Sequence, residues 1–147
     1  MKALYAVCVM LSALFILQAA DTLRLDLPDL KGNFNSKQMP LLAVSFQGVP
    51  NSTTVKRGTL FYVHVFKVSG KESPAFFRAS ATGQVLREGM VNFYKETGEA
   101  YFQIRMRNIK IVAAEVSGST DGATESYELS FESGDICDGV SVCEPLN

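Results

Sequence analysis

Few side chains in this sequence have the type and spacing that chemistry requires. The 147 residues contain one histidine, His64, set in the middle of the apolar run "LFYVHVFKV" (Leu60 to Val68). Nucleophilic catalysis needs a nucleophile, a base and a group that orients the base, and no such set stands around His64, which reads as a packed or hydrogen-bonded strand residue. There is no G-x-S-x-G elbow, Gly-rich phosphate loop or H-E-x-x-H pair. Asp135 and Asp138 in "SGDICDG" lack the alternating carboxylates that wrap calcium. Cys137 and Cys143 in "CDGVSVC" are not spaced C-x-x-C and have no second ligand pair. An even pair around a glycine in an exported chain reads as a disulfide closing a small loop. The sequence therefore predicts no catalytic residues, no cofactor and no metal site.

Export is predicted by the first twenty residues, "MKALYAVCVMLSALFILQAA". They combine a basic start at Lys2, an apolar run and small residues at Ala19 and Ala20, the pattern of a cleaved secretory signal. Removing residues 1–20 from the 147 leaves 127, one domain able to bury a core, at 21–147. Fourteen basic residues are interspersed with fifteen acidic ones, which argues against nucleic acid as a partner and against stable membrane insertion once the signal is removed. Asn51 begins the sequon "NST", meaningful only in a eukaryotic host.

Period-two alternation dominates the remainder. "TLRLDL" alternates at Leu23, Leu25 and Leu27, "LLAVSFQ" at Leu42, Val44 and Phe46, and "YELSF" at Tyr127, Leu129 and Phe131, so all three read as half-buried strands. Glu125 is in phase with the last set and points inward, where a charge needs a partner; a structural salt bridge is the reading. "LFYVHVFKV" is apolar on both faces, which fits a strand whose outer side is covered by a helix or by a neighbouring subunit. "VNFYKETGEAYFQIRMRNIKIV" reads as a hairpin turning at Gly98. Ile109 and Ile111 are out of phase with Phe102, Ile104 and Met106, and a bulge near Arg107 and Asn108 would restore the core face. Tyr101, Gln103, Arg105 and Arg107 fall on its outer side as a solvated face or subunit contact. "GVPNSTTVKRG" and "VSGSTDGATES" read as surface loops.

One helix interrupts the strands: in "KESPAFFRASATGQV", Ser73 is placed as N-cap, Pro74 at the first helical position and Gly83 at C′. The prediction is a mainly β protein, a small antiparallel β-barrel with one short flanking α-helix that covers its side or plugs an end.

In order and spacing these residues resemble the haemolysin-coregulated proteins, Hcp, the inner-tube subunits of type VI secretion systems. "LRLDLPDLKGNF" and "LLAVSFQGV" are similar to that family's opening strands. The family's strand with H and K, its S-P helix start, its T-G and its strand ending in F-Y look like His64, Lys67, Ser73, Pro74, Thr82, Gly83, Phe93 and Tyr94. Asn108, followed by Ile109, and the "ESYELSF" strand beginning at Glu125 complete the likeness. Gly70 stands where the pattern usually has Asp. The resemblance implies a non-enzymatic subunit of a hexameric ring that stacks into a tube and carries effector proteins, with the helix packed on the barrel. The signal sequence and the cysteine pair fit a second reading, a secreted or periplasmic monomeric barrel that binds a surface or a host molecule.

Overall fold

The computed structural model describes residues 22–51, 58–139 and 141–146. The signal sequence at 1–20 and the Ser52 and Thr53 positions of the sequon lie outside the described residues. Among the described residues nine strands and one helix follow in order: β1 Thr22–Asp26, β2 Met39–Leu41, β3 Ala43–Asn51, β4 Gly58–Val68, α1 Ser73–Thr82, β5 Val85–Tyr94, β6 Ala100–Ser119, β7 Gly122–Phe131, β8 Ser133–Asp138 and β9 Val142–Pro145. The ladder runs β2-β1-β5-β6-β7-β4-β3, all antiparallel, with β8 and then β9 added beside the first half of β6.

β2 and β3 occupy opposite ends of this ladder yet are joined through Leu42, whose N–H donates to the Phe66 carbonyl at 2.7 Å. The short link curls the sheet into the expected barrel. It also corrects the reading of Leu42, which leaves the core face at the kink while Leu41 is buried in its place. The other alternations hold: Leu25, Leu27, Tyr127, Leu129 and Phe131 are all buried.

β6 is long enough to serve two sheet segments and changes its inward phase midway, with Met106 and Ile109 buried and Arg107 and Asn108 exposed between them. No residue is inserted there, in contrast to the expected bulge. Leu86 and Gly89 flank Arg87 and Glu88 in the same way on β5, as Phe131 and Gly134 flank Glu132 and Ser133 on β7–β8. Register is unchanged through the line, from Leu86↔Ile109 to Gly89↔Met106 and from Lys110↔Ser130 to Met106↔Gly134. Three strands thus turn a shared corner, where Asn108 takes φ 53°. On its inner side a Cβ on Gly134 would run into the Arg105 carbonyl oxygen, so only glycine lets β8 approach β6 that closely. The ladder shifts in β6 fall elsewhere, at Tyr101 opposite the Phe93/Tyr94 step of β5 and between Ile111 and Ala113 opposite β7.

Of the two segments read as loops, 116–126 is largely strand, and of 48–58 the described ends belong to strands while 52–57 lie outside the described residues. β3 continues to Asn51, and β6 and β7 extend to Ser119 and Gly122 around a tight turn. Beyond the barrel these strands have little core to cover, so their sequence carries no apolar alternation even though the backbone ladder persists.

The helix forms as bracketed at its end: Gly83 takes φ 66°, and Gln84 and Gly83 donate to the Ala79 and Ser80 carbonyls, a Schellman stop. Its start differs. Glu72 occupies the capping position, and the Ser73 hydroxyl accepts the Gly70 N–H at 3.0 Å, closing the preceding turn. Phe76, Ala75 and Ala79 are buried, and Phe76 stacks on the inward-facing Tyr127 at 4.4 Å between ring centroids.

Candidate interaction face and its buried support

β4 presents two rows one residue apart. Phe61, Val63, Val65 and Lys67 point inward and are buried. Tyr62, His64, Phe66 and Val68 point outward, with Phe66 42% and Val68 57% exposed and Leu42 beside them at 59%. Register sets Ser45, His64 and Glu128 in one outer row and Ala43, Phe66 and Ser126 in the next. His64 Nε2 lies 3.3 Å from Glu128 Oε2. This face of β3, β4 and β7 is apolar on its central strand, and α1 does not cover it, since the helix packs on inward-facing residues.

Directly behind it sits a charged cluster. The Lys67 side chain is 1% exposed and its Nζ meets Glu72 Oε1 at 2.5 Å and Glu125 Oε2 at 3.5 Å, while donating to the Val68 carbonyl at 2.7 Å. Tyr127 donates its hydroxyl proton to Glu125 at 2.7 Å. Burial pushes the Glu125 pKa up, but hydrogen bonds from Ser73 and Tyr127 and the Lys67 charge outweigh it and hold the carboxyl below its ordinary value. Burial and the hydrogen bond to Glu125 raise the Tyr127 phenol. The cluster ties β4, β7 and the start of α1 together with its charges paired, as burial requires. A Cβ at Gly70 would meet the Glu72 carboxylate oxygens at 2.7 and 2.8 Å, so glycine here leaves room for Glu72 to reach Lys67.

The far side of the barrel is held by surface contacts. Arg87 forks onto Asp29 at 2.9 and 3.0 Å and adds its backbone N–H at 2.9 Å. Arg107 pairs with Asp135 at 2.5 Å and Arg105 donates to Gln103 at 3.2 Å. Gln103 is therefore not the solvated residue expected: it is buried, donating to Asn92 at 2.8 Å in the row that leads to Cys137. Cys137 and Cys143 form the expected disulfide, across a β8–β9 hairpin rather than within a loop. A concavity of about 370 Å³ beside Asp26, Glu88, Arg105 and Arg107 mixes both charges, and its two arginines are already engaged. Among the described residues no three His, Cys, Asp or Glu side chains are grouped to hold a metal ion, and no helix is long and apolar enough to cross a membrane.

The family model for the type VI secretion system effector Hcp matches residues 31–136. This chain belongs to the Hcp family. No curated protein sequence matches it, but solved Hcp structures do. Hcp1 from Salmonella typhimurium aligns with TM-score 0.68 at 15% identity, over 86% of this chain and 93% of that one. The secreted protein Hcp3 from Pseudomonas aeruginosa aligns with TM-score 0.63 at 14% identity, over 85% and 95%. The terminating cap of the anti-feeding prophage tube aligns with TM-score 0.53 at 14% identity, over 80% and 88%. At such identities the likeness is one of fold.

The Hcp-like positions read from the sequence divide into groups. Lys67, Ser73 and Glu125 converge in the buried cluster, with Pro74 in the first turn of α1. Thr82 and Gly83 end the helix, the Thr82 hydroxyl donating to the Arg78 carbonyl at 2.8 Å. Phe93 packs edge-on against Phe102 at 5.1 Å, and Tyr94 accepts from Gln38 at 3.0 Å. Asn108 lies at the corner. His64 alone belongs to the outer face. Sequence reasoning missed Glu72, although a carboxylate just before the S-P helix start was there to be weighed, and missed Tyr127 as the donor to Glu125.

Proposed function

We propose that this chain is a non-enzymatic structural subunit, exported by its signal sequence, whose copies assemble as a hexameric ring able to carry effector proteins. The observation that supports the reading is the outer row of β4. Phe66 and Val68, with Leu42 beside them, are of the types that ordinarily sit in a core, and the one helix among the described residues packs elsewhere. Large apolar patches left open on a soluble domain mark contact surfaces. Membership of the Hcp family and a fold shared with the terminating cap of a tube agree with assembly from like subunits.

The test is the mass of residues 21–147 by light scattering after gel filtration, followed by negative-stain microscopy. A sixfold mass with ring images is expected. A monomer at every concentration would sink the ring reading and favour the secreted binding module, for which the disulfide-closed hairpin speaks.

A further inference from the structure

We propose that the Cys137–Cys143 disulfide is a redox-controlled strap that keeps β9 on the outer edge of β8, and that its reduction frees this edge to take the β9 segment of a second copy of this chain. The inference does not depend on the ring reading.

The two strands of the hairpin are held very unequally. β8 has six ladder partners on β6, from Arg107↔Ser133 to Phe102↔Asp138, and Cys137 is fully buried. β9 has four partners, all on β8, from Asp135↔Pro145 to Asp138↔Val142. Its side chains contribute little: Val142 is 62% exposed, and Glu144 and Pro145 are exposed as well. Apart from the disulfide, its anchor is Leu146, which packs on the core and donates its N–H to the Gly134 carbonyl at 2.9 Å. A short two-stranded hairpin with so little apolar cover is marginal in water. Releasing β9 would leave β8 seated in the sheet with a row of unpaired N–H and C=O groups, a template for another strand.

The segment that fits this template is already seen on it. Val142–Pro145 of a second copy offers the same complementarity, so exchanging an identical element needs no new surface. Glu144 and Pro145 then make β9 a poor template in turn, which stops the exchange at a pair of chains.

Cys143 is the more exposed of the two cysteines, so the thiolate of a dithiol reductant attacks its sulfur. The Sγ–Sγ bond breaks, and Cys137 leaves as a thiolate and takes a proton. The reductant's second thiol then closes its own disulfide and releases Cys143 as a thiol. Two electrons and two protons pass to the protein. After exchange a low-molecular-weight disulfide such as oxidised glutathione takes the two electrons and two protons back: its S–S bond breaks, it leaves as two thiols, and Cys137 of one chain is joined to Cys143 of the other.

Amide exchange of the full exported chain, oxidised and then reduced with dithiothreitol, tests the strap. Reduction is expected to speed exchange in residues 142–146 and along the outer edge of β8 roughly 50-fold, the effect of opening a loop this short, leaving β4 and β7 unchanged. Reoxidation at high protein concentration should give a covalent dimer on a denaturing, non-reducing gel that Cys143→Ser cannot form. Because that readout is blind to non-covalent rings, its failure and the failure of the ring reading are distinguishable. Unchanged exchange would mean that the ladder and Leu146 suffice. Protection lost throughout the barrel would make the bond a general staple, and a purely monomeric product would mean that the edge takes no second copy. Each of these results overturns the proposal.

Discussion

Lys67↔Glu125 and His64↔Glu128 are both direct cross-strand pairs between β4 and β7, three positions apart and on opposite faces of the same two strands. The inner pair is closed off from water, recruits Glu72 and Tyr127, and sits against the Phe76 ring. The outer pair is open, and its neighbours Phe66 and Val68 are apolar but uncovered. Local composition hardly separates the two rows. What separates them is the supply of covering groups, because α1 and the opposite barrel wall reach one face and nothing among the described residues reaches the other. A charge pair therefore acts as a structural tie on one side and leaves the other side available for contact.

The largest expected effect comes from breaking the inner pair. Lys67→Ala leaves Glu125 buried without its cation and should lower stability by about 3–5 kcal/mol, read as a shift in the urea midpoint. Lys67→Met combined with Glu72→Gln and Glu125→Gln should recover most of that loss, since no buried charge is then left unpaired and Tyr127 keeps an acceptor. A single-variant cost below about 1 kcal/mol would show that the cluster is hydrated and that the two pairs are alike after all.

Phe66→Glu addresses the outer face. The side chain is already 42% exposed, so the isolated subunit should lose only about 1 kcal/mol. Assembly should nonetheless fail, because a carboxylate placed in an apolar contact is desolvated without a partner. Light scattering and a melt on the same sample separate the two quantities. If the variant assembles as the parent does, the contact lies on another face.

A smaller effect is expected from His64→Gln, which removes one partner of a His–Glu contact that water reaches. Its cost to the isolated subunit should be at most about 1 kcal/mol. A double-mutant cycle with Glu128→Gln measures the coupling directly, and a coupling as large as that of Lys67 with Glu125 would overturn the contrast between the faces.

The legible parts of the fold were those that one element settles for itself. Alternation placed Leu25, Leu27, Tyr127, Leu129 and Phe131 inward, and the stop at Gly83 and the Cys137–Cys143 pair could be read from a few residues each. The inward phase of Glu125 and its need for a partner were legible too. Features that require several strands to agree were not. The phase change in β6 resembles a bulge when β6 is read alone, and only the matching corner in β5 and β7–β8 shows that the whole sheet turns. Leu42 could not be assigned without knowing that the chain crosses from one sheet end to the other. In the buried cluster Glu72 was hidden because its position before a helix suggests capping, whereas Lys67, on a strand that precedes it, captures the carboxylate.

The Asp29–Arg87 ion pair gives the contrast between buried and open charges a pH dimension. Hydrogen bonds from the Arg87 side chain and backbone hold the Asp29 carboxyl at about 2, against 3.8 for the free side chain. The folded value lies below the unfolded one, so the unfolded chain binds the proton more readily in this range. The pair's contribution to stability is therefore fully present above pH 3.8 and is lost as pH falls through about 2. In Arg87→Met, Asp29 should titrate closer to 3.8, followed by NMR of its carboxyl carbon, and the stability curves of parent and variant should converge in acid. Arg87 is largely exposed, so added salt should shrink the difference between those curves, while the cost of Lys67→Ala, set by a cluster that ions cannot enter, should hardly change. Equal salt sensitivity at the two sites would mean that burial does not distinguish them.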